Sequence, residues 1–169
     1  MTRSRRFLQD LSERPVAAVY RGPIASPGCA ESVAQLLRTS PSRYRVHYLG
    51  PNEDHDICAE NLSYLDLFAW PGGGDDEQSD YAQVAHYTEA IQRFVREGGA
   101  YAGFCLGAFL ARGPEKDTFF KLLPDGCFVD GERFQPNAQV KSTNDTVILT
   151  DWVFHSGSNK GRVKKECWQ

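Results

Sequence analysis

The chain has 169 residues, a formal net charge of −3 and 41% hydrophobic residues, which suffices for one compact domain with a single core. The small net charge, with basic clusters only at the two ends of the chain, argues against nucleic-acid binding. No apolar stretch approaches the ~20 residues of a membrane span, and residues 1–14 are too polar for a signal peptide as the chain is written.

The five cysteines are an odd number and include no metal-like CxxC pair. This usage is typical of reduced intracellular thiols rather than of a disulfide framework. We therefore expect a cytoplasmic protein, or a secreted one if the natural precursor has a different N-terminus.

Four short apolar segments are predicted to be strands. Segments with helical periodicity separate them, and a β-α-β order of this kind favours a parallel sheet with helices on both faces. The predicted fold class is therefore α/β, a sandwich with a mostly parallel central sheet of about five strands. The predicted strands span residues 15–20, 44–49, 65–70 and 100–104, and residues 50–61 are predicted to form a loop.

Two helices are predicted between these strands. Ser26 and Pro27 start the first, and Asp80, with Gln83 three residues later, is the expected N-cap of the second. Asp75 and Asp76 are alternatives, as caps of that helix or as cation ligands, although two aspartates alone predict no metal site. The first helix carries an apolar face of Ala30, Val33, Leu36 and Leu37, and the second a stripe of Val84, Tyr87, Ile91, Phe94 and Val95.

The C-terminal part of the chain has a different pattern. Residues 134–141 and 146–154 resemble strands, and residues 142–145 have the composition of a turn, which predicts a C-terminal β-hairpin. The domain is expected to span residues 15–155, between a flexible segment over residues 1–14 and a polar tail over residues 156–169 that is predicted to be disordered.

Cys105 lies in the sequence Gly103-Phe104-Cys105-Leu106-Gly107, where the fourth predicted strand meets a helix. A Gly-x-Cys-x-Gly at such a turn is the cysteine counterpart of the nucleophile elbow. Glycines permit the strained backbone, and N–H groups at the start of the following helix favour thiolate over thiol. The alternative is a buried structural cysteine beside glycines that pack a helix.

The third strand ends in Pro71-Gly72-Gly73-Gly74. Backbone N–H groups of Gly72, Gly73 and Leu106 could stabilise the oxygen that becomes negative during acyl transfer. Parallel strands end at one edge of the sheet, where open α/β sheets bind ligands. The alternative is an ordinary strand-to-helix loop.

The Pro71–Gly74 and Gly103–Gly107 segments together resemble the class I glutamine amidotransferase-like superfamily, which includes the DJ-1/PfpI proteins. Phe68–Asp75 and Phe94–Ala108 are most similar to the domain at the N-terminus of fungal biotin–protein ligases. The resemblance implies a flavodoxin-like three-layer sandwich with Cys105 at the elbow. We expect no cofactor. It does not imply biotin ligation, because the ligase catalytic domain is a separate domain.

Working amidotransferases of this superfamily use a His-x-Glu pair as base and orienting group, and no such pair occurs here. His155 is the only histidine in the corresponding part of the chain, and it is the candidate partner of Cys105. DJ-1-like members instead use a glutamate from the loop after the first strand. That loop contains Arg21, which could favour the thiolate or bind a carboxylate ligand, or could simply be a surface residue.

Three functions remain open. The chain could be a cysteine-dependent amide hydrolase or amidotransferase, a non-catalytic domain that binds a small molecule or regulates a protein partner, or a redox-responsive protein that uses Cys105. In each case we expect a small-molecule ligand or substrate at the elbow and no nucleic acid or membrane partner. The sequence leaves the oligomeric state open.

Overall fold

The computed structural model describes residues 14–74, 76–112, 119–124, 136–141, 148–153 and 160–168. The chain divides into two compact units, Met1–Val129 and Asp130–Gln169. The first is an α/β fold and the second contains an antiparallel strand pair. None of the described helices has the length and hydrophobicity needed to cross a membrane.

The first unit is built on a sheet with the strand order β2-β1-β3-β4, in which every pair is parallel. Each strand lies within a segment predicted from its apolar residues, so the α/β class and the parallel sheet are confirmed. The described part of this unit has four strands rather than about five. They are β1 Val16–Tyr20, β2 Arg45–Leu49, β3 Leu67–Trp70 and β4 Ala100–Gly103.

Helices flank this sheet. Those described are α1 Cys29–Thr39, α2 Ala59–Ser63, α3 Glu77–Val84, α4 Thr88–Arg96 and α5 Leu106–Leu110, with a 3₁₀ turn Ala85–Tyr87 between α3 and α4. Helix α2 begins inside the segment that was predicted to be entirely loop. The Cys58 sulfur caps it by accepting the Asn61 N–H (3.4 Å), an arrangement that hydrophobic periodicity does not reveal.

The start of the second predicted helix also needs correction. Asp76, and not Asp80, is the N-cap, because its Oδ1 accepts the N–H groups of Gln78 and Ser79 at 3.2 Å each. Asp80 lies inside α3 and donates its own N–H to the Asp76 carbonyl (2.9 Å). The alternative in which Asp76 caps the helix is therefore confirmed, whereas Asp75 lies outside the described residues.

The core has two layers, because alternate residues of a strand point to opposite faces of the sheet. On one face, β1 and β3 pack against α1. On the other face, they pack against residues of α2, α4 and α5. The strand residues of the first layer are Ala17, Val19 and Ala69, and those of the second are Ala18, Tyr20, Phe68 and Trp70.

One residue of the predicted α1 face is misplaced. Leu36 is 53% exposed, whereas Ala34 is completely buried. The buried positions of α1 are Ala30, Val33, Ala34 and Leu37, which follow the i, i+3, i+4, i+7 spacing of one helix face. Leu36 falls outside that spacing and faces away from the sheet.

In the second unit, β5 Ile148–Val153 pairs with β6 Val163–Trp168 in antiparallel register. The predicted partner of β5 was residues 134–141, of which the described residues 136–141 form no strand. Residue 139 contacts β5 through its side chain instead, because the Gln139 amide nitrogen donates to the Leu149 carbonyl (2.8 Å) and its amide oxygen accepts the Leu149 N–H (3.0 Å). The predicted turn at 142–145 lies outside the described residues, and β6 occupies part of the tail that was predicted to be disordered.

Candidate functional site at the carboxyl ends of β1, β3 and β4

Three loops meet at one edge of the parallel sheet. The strand order runs from β1 to β2 on one side and from β3 to β4 on the other, and open α/β sheets bind ligands at such a point of divergence. Backbone hydrogen bonds join the loops that follow β1 and β3. The Ser26 N–H donates to the Gly72 carbonyl (3.1 Å), and the Gly74 N–H donates to the Ile24 carbonyl (3.4 Å).

Cys105 occupies the turn between β4 and α5, as predicted, and its side chain is exposed. Its backbone has φ 50° and ψ −113°, a conformation that residues with a Cβ rarely adopt and that costs ~1–3 kcal/mol. Hydrogen bonds hold the backbone on both sides. The Phe104 N–H donates to the Trp70 carbonyl (2.9 Å), and the Cys105 carbonyl accepts the Ala108 N–H (2.9 Å).

The glycines on either side of Cys105 are needed for close packing. A Cβ on Gly107 would overlap the Trp70 carbonyl and lie 2.8 Å from the Trp70 Cβ. A Cβ on Gly103 would overlap the backbone carbonyl of Gly107. The hydroxyl of Tyr101 donates to that same carbonyl (2.8 Å), so α5 is bound tightly to the sheet and Cys105 is held in its turn.

Gly72 lies beside the Cys105 side chain and also beside a second cysteine. A Cβ on Gly72 would lie 3.5 Å from the Cys105 Cβ, 4.0 Å from the Cys105 sulfur and 3.5 Å from the Cys29 sulfur. Cys29 is the first residue of α1 and is half-buried. Sequence reasoning assigned Cys29 no role, although its place just after the β1 loop puts it at the same edge of the sheet as Cys105.

Three backbone N–H groups belong to the segments that follow β3 and β4. Among the residues that the structure describes, none accepts a hydrogen bond from the N–H of Gly72, Gly73 or Leu106. Gly73 must also remain glycine, because a Cβ there would overlap the Ile24 carbonyl and the Leu106 side chain. These are the amides that the sequence identified as candidate oxyanion donors.

Arg21 is engaged in contacts that do not include Cys105. Its Nε and Nη2 bind the two carboxylate oxygens of Glu53 at 2.7 and 2.8 Å, and its Nη1 contacts Glu31 at 3.3 Å. The guanidinium also stacks on Tyr48, 3.9 Å from the ring centre. The hydrogen bond to Glu53 raises the pKa of Arg21, and the hydrogen bond from Arg21 lowers the pKa of Glu53. Two carboxylates therefore already balance this charge.

The candidate base His155 lies outside the described residues. The other three histidines, His47, His55 and His86, are exposed. In the described part of the chain, no side chain hydrogen-bonds the Cys105 sulfur, and no group of three or more His, Cys, Asp or Glu residues is arranged to hold a metal ion.

A comparison with protein-family models matches residues 16–133 to the biotin–protein ligase N-terminal family. The matched segment covers more than half of the chain and includes the whole parallel sheet. The chain belongs to this family. The biotin–protein ligase N-terminal domain is a class I glutamine amidotransferase-like domain, so the resemblance carried by the two glycine-rich segments is confirmed. No curated protein matches the chain.

Proposed function

We propose that this biotin–protein ligase N-terminal domain uses Cys105 as a reactive nucleophile toward an amide-type carbonyl. Cys105 then forms a nucleophile elbow on a flavodoxin-like three-layer sandwich. The strand order β2-β1-β3-β4 supports that architecture, because it matches the beginning of the flavodoxin-like order. The ligand is a small molecule that carries a carboxamide or a related acyl group.

The observation that carries this proposal is the conformation of Cys105. A strained residue persists only where the surrounding structure over-determines it, and such residues cluster at functional sites. Here the strain turns an exposed thiol out of the sheet edge, next to the Gly72 loop. A buried structural cysteine would need neither the exposure nor the positive φ.

The chemistry follows from the neighbouring amides. The Cys105 sulfur bonds to the carbonyl carbon, and the carbonyl oxygen takes the displaced electron pair. The N–H groups of Gly72, Gly73 and Leu106 stabilise that oxyanion, a contribution of ~3–4 kcal/mol per donor in acyl-transfer enzymes. Collapse of the intermediate expels the amine, which carries away the thiol proton, and water then hydrolyses the thioester to the free acid.

Turnover requires a base that takes the thiol proton and returns it to the leaving amine. His155 is the candidate, but its neighbours in sequence, Phe154 and Ser156, provide no carboxylate to orient the ring. The proposal therefore separates two properties, a reactive thiol and catalytic turnover, which different experiments measure.

The reactivity of the thiol is tested by brief alkylation of the folded protein with iodoacetamide. Peptide mass spectrometry then gives the labelling rate of each cysteine. We expect Cys105 to react faster than any of the other four, because it is exposed and its strained turn holds the thiol at the start of α5. Cys58 is the matched competitor, since it is also exposed and also lies at the start of a helix, where its sulfur accepts the Asn61 N–H. Equal labelling rates of Cys29 and Cys105 would contradict the proposal.

A redox-responsive thiol is the second candidate function. The specific observation in its favour is a second sulfur beside Gly72, that of Cys29. Redox-sensing cysteines are exposed and often lie next to a cysteine that resolves the oxidised form.

A further inference from the structure

Two cysteines that are distant in sequence converge on one glycine. The Cys29 and Cys105 sulfurs lie 3.5 and 4.0 Å from the position that a Gly72 Cβ would occupy. The separation of the two sulfurs is therefore no greater than the sum of these distances. Because residue 72 is glycine, no side chain occupies the space that lies within 4.0 Å of both sulfurs.

We propose that Cys29 and Cys105 form a reversible intramolecular disulfide when Cys105 is oxidised, and that Cys29 is the resolving cysteine. This inference deepens the second candidate function, the redox-responsive thiol, and rests on it for an accessible Cys105 thiol, but it makes no use of amide chemistry. It assigns a role to a residue for which the sequence motifs predict none.

The chemistry balances with a peroxide as the oxidant. The Cys105 thiolate attacks one peroxide oxygen, the O–O bond breaks, and Cys105 becomes a sulfenic acid while an alcohol or water leaves. The Cys29 sulfur then attacks the Cys105 sulfur, the S–O bond breaks, and water leaves with the Cys29 proton. A dithiol reductant returns both residues to thiols and is itself oxidised to a disulfide.

The two cysteines have suitable exposures for these roles. Cys105 is exposed and can meet a peroxide from solvent, whereas Cys29 is half-buried and therefore less accessible to one. Cys58 is exposed as well, but it caps α2 and accepts the Asn61 N–H, so its sulfur has a structural partner.

The backbone around the pair favours closure. The loop before α1 is hydrogen-bonded to the Gly72 loop through the Ser26 N–H (3.1 Å). This bond holds Cys29 close to Cys105 before any oxidation. A disulfide needs Cβ atoms ~3.8 Å apart, so closure combines rotation of the two sulfurs toward each other with whatever shift of the α1 N-terminus brings the Cβ atoms to that distance. A tethered thiol has a roughly millimolar effective concentration, so intramolecular pairing is far faster than pairing between molecules in dilute solution.

The disulfide would change the site itself. It would convert the proposed nucleophile into an unreactive sulfur and fill the space beside Gly72. Oxidation would therefore switch off any chemistry at Cys105 until a dithiol restores the thiol.

The test is peroxide treatment of the reduced 169-residue chain, followed by trapping of free thiols with N-ethylmaleimide and tryptic digestion without reductant. Trypsin places Cys29 in the peptide 22–38 and Cys105 in the peptide 97–112, apart from the other cysteines. We expect the two peptides to be joined, in a product that forms independently of protein concentration and that dithiothreitol reverses. The Cys29→Ser variant should instead accumulate Cys105 sulfinic acid, and Cys58→Ser should behave as wild type.

Gly72→Ala is the more discriminating variant, because it retains both cysteines. Its methyl group meets only ordinary van der Waals contacts, so the fold tolerates it, and the methyl occupies space within 4.0 Å of both sulfurs. Since a displacement of ~1 Å can slow a positioned reaction by as much as about 10²-fold, we expect disulfide formation to slow at least about tenfold.

Three results would overturn the inference: direct progression of wild-type Cys105 to sulfinic acid, pairing of Cys105 with Cys58, Cys127 or Cys167, or an unchanged rate in Gly72→Ala. Failure here is distinguishable from failure of the proposed function. Preferential alkylation of Cys105 without a disulfide would overturn the disulfide proposal and leave the nucleophile proposal intact. A disulfide without preferential alkylation would do the reverse.

Discussion

Replacement of Gly107 by alanine tests the packing that positions Cys105. The new methyl would overlap the Trp70 carbonyl and lie 2.8 Å from the Trp70 Cβ, and Trp70 is completely buried. Overpacking destabilises a protein by ~1–3 kcal/mol, and we expect the upper end of this range because the overlap is with backbone. Against this, alanine is ~1 kcal/mol more favourable than glycine in a helix. The expected net loss is therefore ~2 kcal/mol in the free energy of unfolding, or a fall of ~4–8 °C in Tm for a chain of this size.

Urea unfolding, followed by far-UV circular dichroism, measures this loss. Gly72→Ala is the matched control, because the nearest atoms to its methyl group lie at 3.5 Å, and we expect it to change the free energy of unfolding by less than ~0.5 kcal/mol. Helix α5 must move away from β3 in Gly107→Ala, so the iodoacetamide labelling rate of Cys105 in the folded variant should change as well.

A loss below ~0.5 kcal/mol in Gly107→Ala, equal to that of the control, would refute the reasoning. It would mean that α5 can leave the strand at almost no cost. The turn that holds Cys105 would then not be determined by the contact between Gly107 and Trp70.

Three further predictions concern the base, a helix cap and an ion pair. The chain should release no ammonia from glutamine, because it lacks the His-x-Glu pair and general acid–base assistance typically raises the rate about 10²–10⁴-fold. Wild-type activity that both Cys105→Ala and His155→Ala abolish would show that His155 serves as the base. Asp76→Ala should lower the free energy of unfolding by ~1 kcal/mol in urea titrations, whereas Asp76→Asn, which can still cap, should lose a few tenths; equal losses would contradict the assigned cap. Arg21 lowers the pKa of Glu53 in the folded protein. The ion pair therefore stabilises the protein at pH values above the unfolded pKa of Glu53, by at most ~1 kcal/mol. This stabilisation is lost as the pH falls through the folded pKa of Glu53. The difference in free energy of unfolding between wild type and Glu53→Gln should therefore shrink from pH 7 to pH 3. A constant difference would contradict a stabilising role for this ion pair.

Much of the candidate site could be predicted from local sequence. Short apolar strands and amphipathic helices in alternation require a parallel sheet, and parallel strands end at one edge. The glycines around Cys105 and after Trp70 marked the two strand ends that meet there. This is why the turn at Cys105 and the proximity of the Gly72 loop followed from residue order alone.

The helix boundaries depended on hydrogen bonds that a periodic pattern does not contain. Asp76 and Asp80 are both plausible caps by residue type, and only the backbone geometry shows which carboxylate accepts the N–H groups of Gln78 and Ser79. Likewise, β5 could have paired with either neighbouring segment, and the Gln139 amide on Leu149 accompanies the pairing with β6.

By itself, the sequence determined the α/β class, the parallel sheet and the position of Cys105 at its edge, because these depend on patterns within a few consecutive residues. Only the tertiary structure decided that Cys29 and Cys105 both lie beside Gly72 and that Glu53 and Glu31 engage Arg21. These contacts join segments far apart in the chain, and their distances depend on how the loops after β1 and β3 are hydrogen-bonded to each other. No local pattern of residues encodes such a distance.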